Sequence, residues 1–213
     1  MKDDVALDVA KYLLQIKAIK LQPNKPFTWT SGWKSPIYCD NRVTLSFPKI
    51  RTYIRQQLVK EVSENFGKPD IIVGVATGGI AQGALVAQEL GLPFAYVRPE
   101  VKSHGLQNAI EGIVETGQSV VIIEDLISTG KSSLHAVDVL RDAGCEVKGM
   151  AAIFTYSFQA SKDNFKKAKC KLTTLTKYDT LIKQALEMGY ITDDDISSLK
   201  KWREAPDKWG KEE

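Results

Sequence analysis

The chain has 213 residues, 43% hydrophobic and 26% charged, which is the make-up of a globular protein long enough for one large core. Lys and Arg outnumber Asp and Glu by 29 to 26, and a net charge of +3 is too small for bulk electrostatics to argue for nucleic acid; any affinity for phosphate has to be local. Cys39, Cys145 and Cys170 are odd in number and far apart, which argues against a disulfide framework or a zinc site, and no apolar run approaches membrane-spanning length, so a soluble, unexported, cytoplasmic protein without a membrane partner is expected.

In chain order, Val5, Val9, Leu13 and Ile16 recur at helical spacing behind Asp3 and Asp4, predicting an amphipathic helix from about 4 to 20. Residues 21–45 are rich in Pro, Thr, Ser and aromatics, and the alternation in Ile37-Tyr38-Cys39-Asp40 predicts a short hairpin or an irregular hood. From Ser46 a second regime begins. It reads as a helix to about Phe66, a buried strand from Asp70 to Thr77, a helix at Ile80–Leu90, and strands at Phe94–Arg98 and Ser119–Glu124. A helix at Ser132–Ala143, a strand at Val147–Thr155 and a weaker helix–strand pair ending near Leu175 follow. Strands alternating with helices predict an α/β fold around a parallel sheet with right-handed crossovers.

The pattern lapses between Pro99 and Gly117, where a long polar loop is expected to be mobile or functional. Thr192 to Lys208, opening on Asp193-Asp194-Asp195 and containing Trp202, predicts a capped helix and a tail. The expected organisation is a single domain over 1–213: an N-terminal helix and a hood at about 21–45, a core at about 46–176 and a C-terminal helical segment at 177–213.

The most informative stretch is VVIIEDLISTGKSS, residues 120–133, which ends in the Gly-Lys-Ser of nucleotide-binding P-loops. A P-loop needs a glycine five residues before Gly130, to turn sharply around the phosphates, and that position is Asp125. Two acidic side chains there would repel a triphosphate, so the P-loop reading fails. The context still favours one phosphate. A hydrophobic strand runs into a short turn that opens a helix, whose dipole and free amides attract an anion. Ser128, Thr129 and Ser132 add hydroxyl donors, and Gly130 permits close backbone approach. Glu124 and Asp125 then suit a cis-diol, because carboxylates accept hydrogen bonds from vicinal hydroxyls. Acidic pair and phosphate cradle together spell ribose 5-phosphate.

At these residues the chain resembles the type I phosphoribosyltransferases, which hold 5-phosphoribosyl 1-pyrophosphate (PRPP) with two acidic residues on the ribose hydroxyls and the next loop on the 5′-phosphate. Phe27 to Arg42 resembles the hood segment of orotate phosphoribosyltransferases, and Tyr96 to Gly105 their catalytic loop. The resemblance implies the type I phosphoribosyltransferase fold, a central parallel sheet flanked by helices with a small N-terminal hood. It also implies transfer of ribose 5-phosphate from PRPP to orotate, giving orotidine 5′-phosphate and pyrophosphate in de novo pyrimidine (UMP) biosynthesis, with Mg2+, by a homodimer whose catalytic loop is shared between subunits. It assigns Lys102, His104 and Asp125 to catalysis, Arg98, Lys102 and His104 to the pyrophosphate, and Glu124, Asp125, Leu126, Ile127, Ser128, Thr129, Gly130, Lys131 and Ser132 to PRPP, with Ser128 also on orotate. No direct protein ligand to the metal is assigned.

Other features stay open. The Gly74 to Ile80 turn matches the family's pyrophosphate turn, yet Gly78 and Gly79 serve equally to make room between strand and helix. Phe27, Trp29 and Tyr38 either shape a base pocket or pack the hood. Some orotate enzymes carry Lys at the positions of Thr30, Gly78 and Pro99, and an Arg near Tyr156; this chain keeps none of them, leaving the hood backbone, Arg42 or a second subunit to meet the orotate carboxylate. His135 is expected on a surface or in the core. Purine salvage and a PRPP-sensing regulator are the competing readings; the first leaves the hood motif unexplained, and the second needs a basic surface that a +3 chain lacks.

Overall fold

In the computed structural model, which describes residues 2–29, 31–99 and 109–210, the chain forms two compact units, Met1–Phe47 with Thr176–Glu213, and Pro48–Leu175. The first apolar stripe folds as helix α1 (Lys2–Gln15), burying Val9, Ala10, Leu13 and Leu14. It ends before the expected limit near residue 20. Lys17 takes a left-handed φ of 58°, which turns the chain into β1 (Ile19–Leu21). The hood is two small antiparallel ribbons: β2 (Phe27–Thr28) pairs with β3 (Lys34–Ser35), and β4 (Ile37–Cys39) returns to β1 with Ile19 opposite Cys39. A 3₁₀ turn at Asn41–Ser46 ends this part of the unit, and the Arg42 guanidinium grips the Asp40 carboxylate there through Nε at 2.7 Å and Nη2 at 2.9 Å.

The second unit opens with α2 (Pro48–Phe66), which buries Ile54, Leu58, Val62 and Phe66 at four-residue intervals. Then come β5 (Ile71–Val75), α3 (Gly78–Leu90), β6 (Phe94–Val97), β7 (Ile110–Glu111), β8 (Ser119–Ile127), α4 (Lys131–Asp142), β9 (Glu146–Thr155), α5 (Gln159–Lys167) and β10 (Leu172–Lys177). The strands make one sheet in the order β10-β9-β8-β5-β6-β7, parallel from β9 through β6. Every residue of β5 is buried, as a strand covered on both faces requires.

Two expectations change here. The sheet is not wholly parallel: β7 lies in the stretch without a pattern and pairs antiparallel with β6, Tyr96 opposite Glu111. Two residues are too few to show a period. Strand β8 also runs past Glu124 to Ile127, because Leu126 and Ile127 continue the ladder opposite Phe154 and Thr155. In the first unit, α6 (Tyr178–Glu187) and α7 (Asp193–Glu204) complete the chain. Asp195 accepts hydrogen bonds from the Thr192 amide at 2.9 Å and hydroxyl at 3.0 Å, closing the start of α7. Trp202 of α7 is fully buried, edge-on to Trp29 at 5.7 Å and 5.5 Å from the Tyr178 ring, so Trp29 packs the unit's interior. Phe27 instead meets Tyr38 at 5.7 Å, and Tyr38 is 41% exposed. Among the described residues no helix is long and apolar enough to cross a membrane.

Register between β5 and β8 decides what meets at their far ends, and it is fixed at the near end by a reciprocal pair. The Asp70 carboxylate accepts from the Ser119 amide at 2.7 Å and hydroxyl at 2.6 Å, while the Asp70 amide donates to the Ser119 carbonyl at 2.9 Å. Those bonds, the hydroxyl first, hold the Asp70 carboxyl below its ordinary value of 3.8. A depressed carboxyl contributes stability that is present above the unfolded value and lost as pH falls through the folded one. Asp70→Asn is therefore expected to be less stable than the parent chain at pH 7 and to converge with it in acid. Urea unfolding at both pH values measures this; equal midpoints at pH 7 would show that the pair contributes nothing.

Candidate active site

Helices follow β5 and β8 in opposite directions along the sheet, out to β6 and out to β9, so the crevice between these neighbouring strands is where an α/β sheet binds ligands. A cavity of about 710 Å3 opens there, a size suited to a small-molecule site. One wall is the first turn, Val75 to Gly78, in which the Ala76–Thr77 peptide is cis, together with Pro99. The other is Glu124, Asp125, Leu126 and the turn from Ser128 into α4.

Adjacent residues of a strand point to opposite faces, and the acidic pair uses this. Glu124 is only 5% exposed; its carboxylate accepts from the Ser133 hydroxyl at 2.8 Å and from the Asp125 amide at 3.0 Å. Burial, then the neighbouring Asp125 charge, pushes the Glu124 carboxyl well above its ordinary value, and the two hydrogen bonds only partly oppose this. Asp125 is half-buried and lies against Gly78 at the start of α3, where an added Cβ would overlap its carboxylate.

The turn after the pair is built to hold still. Gly130 sits at a left-handed φ of 80°, and a Cβ there would also press on the Phe165 ring at 2.7 Å, so two independent constraints select glycine. Asn164, next to Phe165 on α5, donates its amide to the Thr129 carbonyl at 3.0 Å. The Leu134 amide returns to the Gly130 carbonyl at 2.9 Å and starts α4, whose first residues, Lys131, Ser132 and Ser133, line the cavity. Lys131 and Ser132 are exposed; Ser128 and Thr129 are half-buried.

Of the residues singled out from the sequence, Glu124, Asp125, Leu126, Ser128, Thr129, Gly130, Lys131 and Ser132 line the one cavity. Ile127 does not: its side chain is fully buried in the core, and its carbonyl accepts from the Tyr156 amide at 3.1 Å. Arg98 follows β6, with its amide bonded to the Ala109 carbonyl at 2.8 Å and its guanidinium 3.3 Å from the Glu111 carboxylate, both side chains about two-fifths exposed. Lys102 and His104 lie outside the described residues. Tyr156 is buried between Phe154 and Phe158, with ring centroids 5.3 Å away on either side.

Sequence reasoning missed four contributors. Ser133 breaks the apolar stripe of α4 that continues in Val137 and Leu140, and a polar residue on a buried face requires a partner. That signal was present. His135 lines the cavity, and its Nε2 is buried without a hydrogen-bond partner among the described residues; only its place one turn after Lys131 hinted at this. Asn164 and Phe165 had no signal, being far along the chain. Among the described residues no group of three or more His, Cys, Asp and Glu is arranged to hold a metal.

The raised carboxyl of Glu124 carries a sign that can be checked. Such a group binds more protons folded than unfolded, so the free protein loses stability as pH rises from the ordinary value of 4.5 through the folded one. Glu124→Gln is expected to raise the thermal midpoint at pH 8 and to flatten its pH dependence, while weakening ligand binding at the site. A midpoint unchanged at pH 8 would contradict it. Gly130→Ala is expected to cost about 1–3 kcal/mol from the left-handed backbone, plus the Phe165 contact, in urea unfolding.

Comparison with known proteins agrees with this geometry. The phosphoribosyl transferase domain family matches residues 49–185. The orotate phosphoribosyltransferase of Porphyromonas gingivalis is 56% identical over 202 residues, 95% of this chain and 96% of that one. Among solved structures, orotate phosphoribosyltransferase from Aeropyrum pernix superposes with a TM-score of 0.75 at 26% identity, over 86% of this chain and 99% of that one. Leishmania donovani UMP synthase does so with 0.79 at 26%, over 93% of this chain but only 42% of that longer one. An identity above one half, sustained over nearly the whole of both chains, is decisive: this chain belongs to the orotate phosphoribosyltransferases of the phosphoribosyl transferase family.

Proposed function

We propose that the chain transfers the 5-phosphoribosyl group of PRPP to orotate, releasing pyrophosphate and forming orotidine 5′-phosphate, as a cytoplasmic homodimer acting with Mg2+ in UMP biosynthesis. The observation that carries this reading is the splayed acidic pair near the end of β8, followed two strand residues later by a rigid hydroxyl-bearing turn at a helix N-terminus. The pair suits the two ribose hydroxyls, and the turn at Ser128–Ser132 suits the 5′-phosphate.

In the reaction the bond from ribose C1 to the pyrophosphate oxygen breaks, a bond to a ring nitrogen of orotate forms, and the proton of that nitrogen is released with the pyrophosphate. Positive charge grows on the ribose ring and negative charge on the leaving diphosphate. Carboxylates beside the ring and cations on the diphosphate therefore stabilise the transition state more than the ground state. Arg98 and the loop residues Lys102 and His104 are the cations assigned to the diphosphate; Arg98 exchanges Glu111 for it. Closure of that loop excludes water, which would otherwise capture the ribosyl centre. The carboxylates of Glu124 and Asp125 are hard oxygen donors of the kind Mg2+ accepts; they are the residues that would hold the ion, which would supply charge neutralisation at the diphosphate.

The deciding assay follows orotate absorbance. Loss is expected only when PRPP and Mg2+ are both present, with purine bases failing to compete; no loss at high enzyme concentration would reject the reading. Lys102→Ala is expected to lower turnover by on the order of 100-fold, as removal of a transition-state charge partner does. The shared loop has its own test. A mixture of Lys102→Ala and Asp125→Asn chains, each strongly impaired alone, regains activity after subunit exchange if one subunit's loop serves its partner's site, and gains none if each subunit is self-sufficient.

A further inference from the structure

We infer that Gly78 is the positioning residue for Asp125: the bare first residue of α3 is the seat that sets the direction of the Asp125 carboxylate. This rests on the ribose reading of the acidic pair and adds what aims its second member. The argument is steric. Gly78 is not at a positive φ, so its backbone tolerates any L-residue; what a side chain would meet is Asp125, whose Cγ and both carboxylate oxygens lie within overlap of an added Cβ. The neighbouring glycines explain how the turn comes so near. A Cβ at Gly79 would overlap the Ile123 carbonyl, and one at Gly74 would press on the Gly79 carbonyl at 2.8 Å. Helix α3 therefore starts directly on the backbone of β8, one residue before the acidic pair.

Glu124 is held by donors, Ser133 and the Asp125 amide. Behind Asp125 the bare Cα of Gly78 sets how far its carboxylate can lie toward α3. Thr77, the residue before α3, makes no side-chain cap to the helix, so an acidic group at this N-terminus is also electrostatically welcome. The lysine that some orotate phosphoribosyltransferases carry at this position has no room here while Asp125 keeps its place. Gly78 consequently links the first turn to the sugar carboxylate: moving either moves the other.

A double-mutant cycle over Gly78→Ala and Asp125→Ala tests this in kinetics and in stability. Gly78→Ala alone is expected to lower kcat/KM for PRPP by about 10- to 100-fold, the scale of a small misplacement of a positioned group, with KM for orotate unchanged. In the Asp125→Ala chain the same substitution has no further kinetic effect. The midpoints carry a sign reversal. Alanine is a better helix residue than glycine, so Gly78→Ala raises the thermal midpoint once the carboxylate is gone and lowers it while the carboxylate is present. Kinetic effects that multiply, or a midpoint shift of the same sign and size in both backgrounds, would overturn the proposal. If Asp125→Ala alone leaves PRPP kinetics intact, the ribose assignment falls, and the midpoints alone then decide whether Gly78 seats the carboxylate.

Discussion

Everything in the second unit is arranged around two carboxylates placed side by side at the end of a buried strand. Neither a hydrophobic core nor a helix terminus would choose this: removing Glu124 from water is costly, and the like charge of Asp125 adds to the cost. The Ser133 hydroxyl, the Asp125 amide and the open backbone at Gly78 help make the arrangement tenable. The free protein thus holds an acidic group whose charged form is poorly served until hydroxyl donors arrive. Stability is given up where binding is gained, as is usual for sites shaped by function.

Around that pair the scaffold is rigid for reasons found elsewhere in the chain. Asp70 and Ser119 set the register at the opposite end of β5 and β8, so the first turn and the acidic pair emerge level with each other. Helix α5 braces the phosphate-side turn from behind, with Phe165 filling the space a side chain at Gly130 would need and Asn164 holding the Thr129 carbonyl. Preorganised amides and hydroxyls of this kind need no rearrangement when an anion arrives.

Much of this was legible in the sequence, and the division follows physical range. Local signals marked the strands: the apolar runs at Asp70–Thr77 and Ser119–Glu124 fold as buried β5 and β8. The Glu-Asp pair, read as a partner for a diol, lines the cavity at the end of these strands. The failures were of two kinds. Short elements left no period: β7 is two residues long, and the end of α1 was decided by one left-handed residue, Lys17. Long-range packing left no local trace: nothing near Gly130 announces Phe165, and nothing near Asp125 announces that Gly78 backs onto it. Glycines in a turn signal permission to bend; which neighbour they make way for is written in another part of the chain.

The antiparallel return of β7 ties together the two described ends that flank residues 100–108: the Arg98 amide bonds to the Ala109 carbonyl, and Val97 sits opposite Ile110. Arg98 is thereby fixed by its backbone at the close of β6, while its guanidinium, 3.3 Å from the Glu111 carboxylate of β7, stays two-fifths exposed. Exposed ion pairs of this kind are weak, so an anion arriving at the edge of the sheet can displace Glu111 at little cost.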